Sequence, residues 1–206
     1  MYKISPLVIT LLKVITHLTS LSVLMYFYIL IDSGRLGADP VKEMIHFLGK
    51  AGLNYLLITL TITPIAKRFK QPLLVRLKRL LGLYAFVWIC LHFTVFLWLE
   101  LNWEFMLLLE EVIKRPYLTF GMIAWVILLL LSITSIPSIK HKMKQTWFNL
   151  HRWVYVALIL GTVHYYWSVK SGLIEPIIYF VICFVLLSER RQYFKKLFKD
   201  ILRKFK

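Results

Sequence analysis

Acidic residues are scarce: ten Asp and Glu stand against 26 Lys and Arg in 206 residues, a net charge of +16. Cysteine is scarcer still. Cys90 and Cys183 both fall within apolar runs, where a thiol acts as a small hydrophobe more often than as half of a bridge. No CxxCH is present, which excludes covalently attached c-type haem. Nor is there a CxxC pair, an HExxH or a plausible Ser-His-Asp set, so hydrolytic chemistry has no support. No GxGxxG opens a βαβ unit, there is no P-loop, and too little polar sequence remains to build a nucleotide domain. The chain is therefore not expected to bind NADPH in a Rossmann domain of its own. Electrons for any redox task must come from another protein or from membrane quinol.

What fills the chain instead is apolar sequence: 59% of residues are hydrophobic and the mean hydropathy is +0.70. That is too apolar for a soluble domain of this size, and it predicts an integral membrane protein with little extramembrane mass. The basic residues lie between apolar runs, so anionic lipid and orientation in the bilayer account for them, and nucleic acid does not. Runs able to cross about 30 Å of hydrocarbon fall near 7–31, 49–66, 80–101, 116–136, 149–169 and 173–188. They predict an all-α, six-helix transmembrane bundle over 1–188, with no internal repeat visible. The first run, Leu7 to Ile31, is too long for a signal-peptide core and has no A-x-A site after it, so it is expected to stay as a helix. Pro64, Pro116, Pro137 and Pro176 fall at or near run ends, where a missing N–H does least harm.

Charge sets the orientation, because Lys and Arg concentrate on the cytoplasmic side. Segments 67–79 and 138–152 are basic with no acid, while 100–115 carries Glu100, Glu104, Glu110 and Glu111 against Lys114 and Arg115. Both termini are thus expected inside. The tail, 189–206, spaces Phe194, Leu197, Phe198, Ile201 and Phe205 at helical intervals among basic residues, a pattern that suits a helix on the inner leaflet or a solvated basic end.

Three histidines, His92, His151 and His164, lie in or at the edge of apolar runs. A neutral imidazole in hydrocarbon still needs partners for one donor and one acceptor. A neighbouring helix, a proton path or a metal can supply them. His92 lies thirteen residues beyond Arg79, and His164 twelve beyond Arg152. Counted at about 1.5 Å per residue, both sit about 18 to 20 Å from the inner surface, level with each other on two helices running the same way. Such a pair can supply both axial ligands of a haem. Gly161, three residues before His164, leaves room for a porphyrin or for close helix packing. His151, beside Arg152 on what reads as the same helix as His164, belongs to the inner face; it is a candidate for a second haem, but the third span offers only Lys78 and Arg79 at that level. His17, near mid-depth of the first span, reads as a packed polar residue, a quinone contact or a further ligand. His46, in an outer re-entry segment, and His141, in a basic loop, read as solvated, with a periplasmic partner or quinone as the alternative contact for His46.

The stretch GRLGADPVKEMIHFLGKAGLNYLLITLTITPIAKRFKQPLLVRLKRLLGLYAFVWICLHF, followed by RPYLTFGMIAWVILLLLSITS and WFNLHRWVYVALILGTVHYYWSVK, resembles the MsrQ (YedZ) family over nearly the whole chain. That family supplies the haem-binding membrane subunit of the bacterial periplasmic methionine-sulfoxide reductase system. The resemblance implies a six-helix ferric-reductase-like transmembrane domain in the inner membrane, b-type haem (heme b), FMN, and a periplasmic molybdenum-containing partner, MsrP. It maps the family's haem histidines onto His92, His151 and His164. Related NADPH oxidases and ferric reductases carry two histidines on each of two helices and a cytoplasmic flavin and nucleotide domain. This chain departs on both counts, which leaves the electron donor external.

The expected function is an electron conduit from the membrane quinone pool or a cytoplasmic flavin reductase, through haem, to that periplasmic enzyme. An FMN phosphate would favour the basic face, with Arg76 and Arg79 as its partners. Two rival readings are a stand-alone metal or quinone reductase and a small proton-coupled transporter using His92 and His164 as relay groups. The transporter lacks an intramembrane carboxylate and the broken helix pairs of a substrate site.

Overall fold

The computed structural model describes residues 3–169 and 172–190, and among them every regular element is helical. In chain order these are α1 (Pro6–Asp32), α2 (Pro40–Arg68), a 3-10 helix (Pro72–Leu77), α3 (Lys78–Val95), α4 (Phe105–Lys114), α5 (Pro116–Ile133), α6 (Pro137–His151), α7 (Val154–Ser168) and α8 (Ile174–Ser188). A π turn, Phe96–Glu100, prolongs α3. The expected tail, 189–206, lies outside the described residues apart from Glu189 and Arg190.

Proline sets the starts. Pro6, Pro40, Pro116 and Pro137 open α1, α2, α5 and α6, at the position where a missing N–H costs nothing. Ser5 and Asp39 cap α1 and α2 by accepting from the amides of Val8 and Lys42. Pro6–Asp32, Pro40–Arg68, Pro72–Glu100 and Pro116–Ile133 are each long and apolar enough to cross a membrane. The other two apolar helices, α7 and α8, have 15 residues each and rise about 22 Å. Together the six form a helical membrane bundle.

Two boundaries differ from the sequence expectation. The second span begins at Pro40, not near 49, because the Asp39 cap and Pro40 start a helix whose first turns are polar and whose later turns are not. His46 is therefore a helical residue of α2, not part of a re-entry segment. The fifth run is broken. α6 ends at His151, Arg152 and Trp153 form a turn, and α7 begins at Val154. His151 and His164 do not share one helix.

The centre of the bundle is a ring of four helices. α2 packs against α3 and α7, and α5 packs against the same two, so α3 and α7 face each other across the middle. Trp88, Ala85, Ala157 and Leu158 are essentially inaccessible in this core. α1 docks on the outside of the ring through the 3-10 helix and α3, and α8 packs on α7. α4 is amphipathic and leaves Phe105, Met106, Leu109 and Ile113 exposed at the acidic end.

Candidate functional site: two imidazoles in a shared cavity

His92 on α3 and His164 on α7 meet across the ring, with centroids 6.1 Å apart and ring planes 81° apart. Each is held by main chain from the adjacent helix. His92 Nδ1 lies 2.8 Å from the carbonyl oxygen of Ile45 on α2, and His164 Nδ1 lies 2.7 Å from that of Tyr117 on α5. A carbonyl only accepts, so both Nδ1 atoms carry the proton and donate it. Both Nε2 atoms are left as lone pairs.

Glycine makes those carbonyls reachable. In a helix the carbonyl of residue i is roofed by residue i+4, which here is Gly49 above Ile45 and Gly121 above Tyr117. A methyl on Gly49 would stand 3.0 Å from His92 Nδ1, and one on Gly121 would stand 2.8 Å from His164 Nδ1. The two assemblies are the same pattern displaced by 72 positions: Ile45, Gly49, His92 and then Tyr117, Gly121, His164. Ala85 and Ala157, 0% and 1% exposed, obey the same offset. The expectation of no internal repeat is corrected at this level. The likeness resides in a few close-approach positions, while the lipid-facing residues between them differ.

A cavity of about 390 Å³ lies between the halves and opens toward the acidic end. Gly49, Gly52, Gly121 and Gly161 line it, with Leu53 and Leu128 deeper in. A methyl on Gly161 would meet only Leu53 Cδ1, at 3.9 Å, so this glycine forms an open stretch of wall. His46 also reaches the cavity, its ring edge-on to Tyr165 at 6.4 Å. Among the described residues no cluster of three or more His, Cys, Asp or Glu is arranged as a metal site. Two lone pairs can then hold only a metal that brings its other ligands with it. His92 and His164 would hold such a metal through their Nε2 lone pairs. The shared cavity and the two bare Nε2 lone pairs fit a tetrapyrrole that would be held by His92 and His164.

The remaining candidates lie elsewhere. His151 Nε2 is 3.2 Å from Thr134 Oγ1, whose own proton goes to Leu130 O at 2.7 Å. The imidazole is therefore the donor, and its Nε2 is not a free lone pair. Its ring stacks on Trp147 at 3.8 Å, and Trp147 Nε1 donates to Thr134 O at 2.9 Å. Burial first, then the charges of Lys140 and Lys78, lower the His151 pKa from the ordinary histidine value to about 4. His17 contacts Tyr84 OH through Nδ1 at 2.5 Å, a packed polar pair between α1 and α3. Arg79 lines an open basic cavity of about 560 Å³ with Lys140, Lys144 and Trp147. Arg76 is exposed on the 3-10 helix and is not among the residues lining that cavity.

Sequence reasoning found the two imidazoles but not the atoms that hold them. Ile45 and Tyr117 act through main chain, which no side-chain motif reports. Gly49 and Gly121 carry a signal in their spacing, each 43 positions before its histidine.

A polytopic helical bundle with two imidazoles facing one another inside it is the architecture of a membrane electron carrier. Residues 47–162, more than half of the chain, match the ferric reductase like transmembrane component family, and the chain belongs to that family. The match runs from α2 into α7 and includes His92 and His151. No solved structure matches the chain.

Proposed function

We propose that the protein is a haem b subunit of the bacterial inner membrane, passing electrons from membrane quinol or a cytoplasmic flavin reductase to a periplasmic molybdoenzyme, MsrP. The observation that carries this reading is the His92–His164 pair, 6.1 Å apart with both Nε2 atoms unprotonated. His92 and His164 would hold the haem, which when bound would supply reversible one-electron chemistry at iron. The protein's own part is to fix both tautomers through Ile45 and Tyr117, to exclude water with apolar walls, and to hold the ring planes crossed. On the partner, methionine sulfoxide plus two electrons and two protons gives the thioether and water.

The choice of MsrP rests on the resemblance of GADPVK, the ITP-x-A-x-R-x-KQPLL-x-R stretch and HYYWSVK to the MsrQ family. An FMN phosphate is assigned to the basic end with Arg79, beside Lys140 and Lys144, as its best-placed partner and Arg76 as a flanking charge. His151 belongs to this inner site; the ring stacked on it is Trp147 rather than a second imidazole. The test is purification in detergent with haem and flavin quantified per chain, then reconstitution with quinol and the periplasmic enzyme. A low-spin haem that quinol reduces and the partner reoxidises is the expected result. Turnover of ferric chelates without the partner would favour a stand-alone reductase, and a protein with no Soret band despite ample haem would favour a transporter.

A further inference from the structure

The cavity that holds the two imidazoles is polarised along its length. Its deep end is apolar, with Leu53, Leu56, Leu128 and Ala157 on the wall. Its mouth at the acidic end carries six charged or titratable side chains, Asp39, Lys42, His46, Lys50, Glu100 and Arg115. Three of these have a partner. Lys50 pairs with Glu175 at 3.2 Å, Arg115 Nε with Glu111 at 2.6 Å, and Asp39 caps the amide of Lys42. Two cationic groups retain capacity. The Lys42 ammonium, on the half-buried first turn of α2, has no acid within ion-pair distance among the described residues. The guanidinium of Arg115, at the start of α5, spends its Nε on Glu111, and its Nη1 reaches only Tyr117 OH at 3.5 Å. Its terminal nitrogens remain open to a second carboxylate.

This deepens the haem reading and rests on it. Haem b carries two carboxylates on one edge and apolar substituents on the opposite edge. A macrocycle clamped between His92 and His164 must turn its carboxylate edge to the mouth, because burying an ionised carboxylate against Leu128 and Ala157 is prohibitive. We infer that Lys42 and Arg115, one from each half of the bundle, anchor the two haem carboxylates at the mouth, with the His46 ring beside them. Lys50 is the weaker candidate, because its single ammonium is shared between both oxygens of Glu175, at 3.2 and 3.3 Å, whereas Glu111 takes only the Nε of Arg115.

The experiment uses full-length, haem-replete protein in detergent and follows haem transfer to excess apomyoglobin by Soret absorption. Lys42→Gln with Arg115→Gln should speed release about tenfold, in line with the loss of charge-assisted bonds, and each single change should give a smaller increase. The low-spin spectrum should persist in all of them, which a collapsed site would not allow. Added salt should speed release from the wild type and leave the double variant nearly unaffected. The midpoint potential should fall in the double variant, because a cation near the haem favours the reduced form. Lys50→Gln should match the wild type in rate and potential. An unchanged release rate and potential in the double variant overturns the carboxylate assignment and leaves the axial pair intact. Absence of a low-spin haem spectrum in the wild type removes the haem reading and this inference with it.

Discussion

His164 and His151 stand thirteen positions apart and are held by opposite nitrogens. His164, like His92, gives its Nδ1 proton to a carbonyl and presents Nε2 as a lone pair to the central cavity. His151 gives its Nε2 proton to Thr134 and stacks on an indole. A histidine becomes a metal ligand or a packing element according to which nitrogen the second partner claims. Histidine count and spacing along the chain do not report this, whereas the atoms behind the ring do.

The comparison breaks most visibly on deletion. His92→Ala or His164→Ala should each abolish the low-spin Soret spectrum of the purified protein, while His151→Ala should leave it in place. Equal partial loss from all three would contradict the division. Next in size are the glycines behind the rings. Gly121→Ala drives a methyl to 2.8 Å from His164 Nδ1, and Gly49→Ala to 3.0 Å from His92 Nδ1. Overpacking of this kind costs about 1–3 kcal/mol, so haem occupancy should fall in both and further in Gly121→Ala. Thr134→Val tests the other side. It leaves the His151 N–H unsatisfied at a cost of about 1–3 kcal/mol, seen as a lower Tm with an unchanged haem spectrum.

Two smaller effects sharpen the contrast. Ring planes 81° apart predict a strongly anisotropic low-spin EPR signal, where parallel rings would give an ordinary rhombic one. His151, with its pKa lowered to about 4, should remain neutral in NMR spectra of labelled protein at pH 6. The unfolded chain takes up that proton near pH 6.5 and the folded one only near 4. The unfolded state thus binds more protons in this window, and the contribution of His151 to stability falls as pH drops through it.

Much of this was legible beforehand. Counting from Arg79 and Arg152 placed His92 and His164 at one depth, and the structure brings their rings together. Hydropathy found the apolar helices because lipid demands long apolar runs. It missed the first turns of α2, since Lys42, Glu43 and His46 are polar and the helix there is declared by Asp39 and Pro40 instead. The break before Val154 went unseen because Arg152 and Trp153 are neither glycine nor proline. The repeat escaped because two halves that face lipid can vary freely wherever they do not touch the shared cavity.

Both rings are tethered to oxygens of the polypeptide backbone, and every amino acid at positions 45 and 117 would provide the same oxygen. No single codon change can delete either tether. The vulnerability is transferred to the bare positions one helical turn onward, where the smallest possible addition, a single carbon, is enough to push a ring off its anchor.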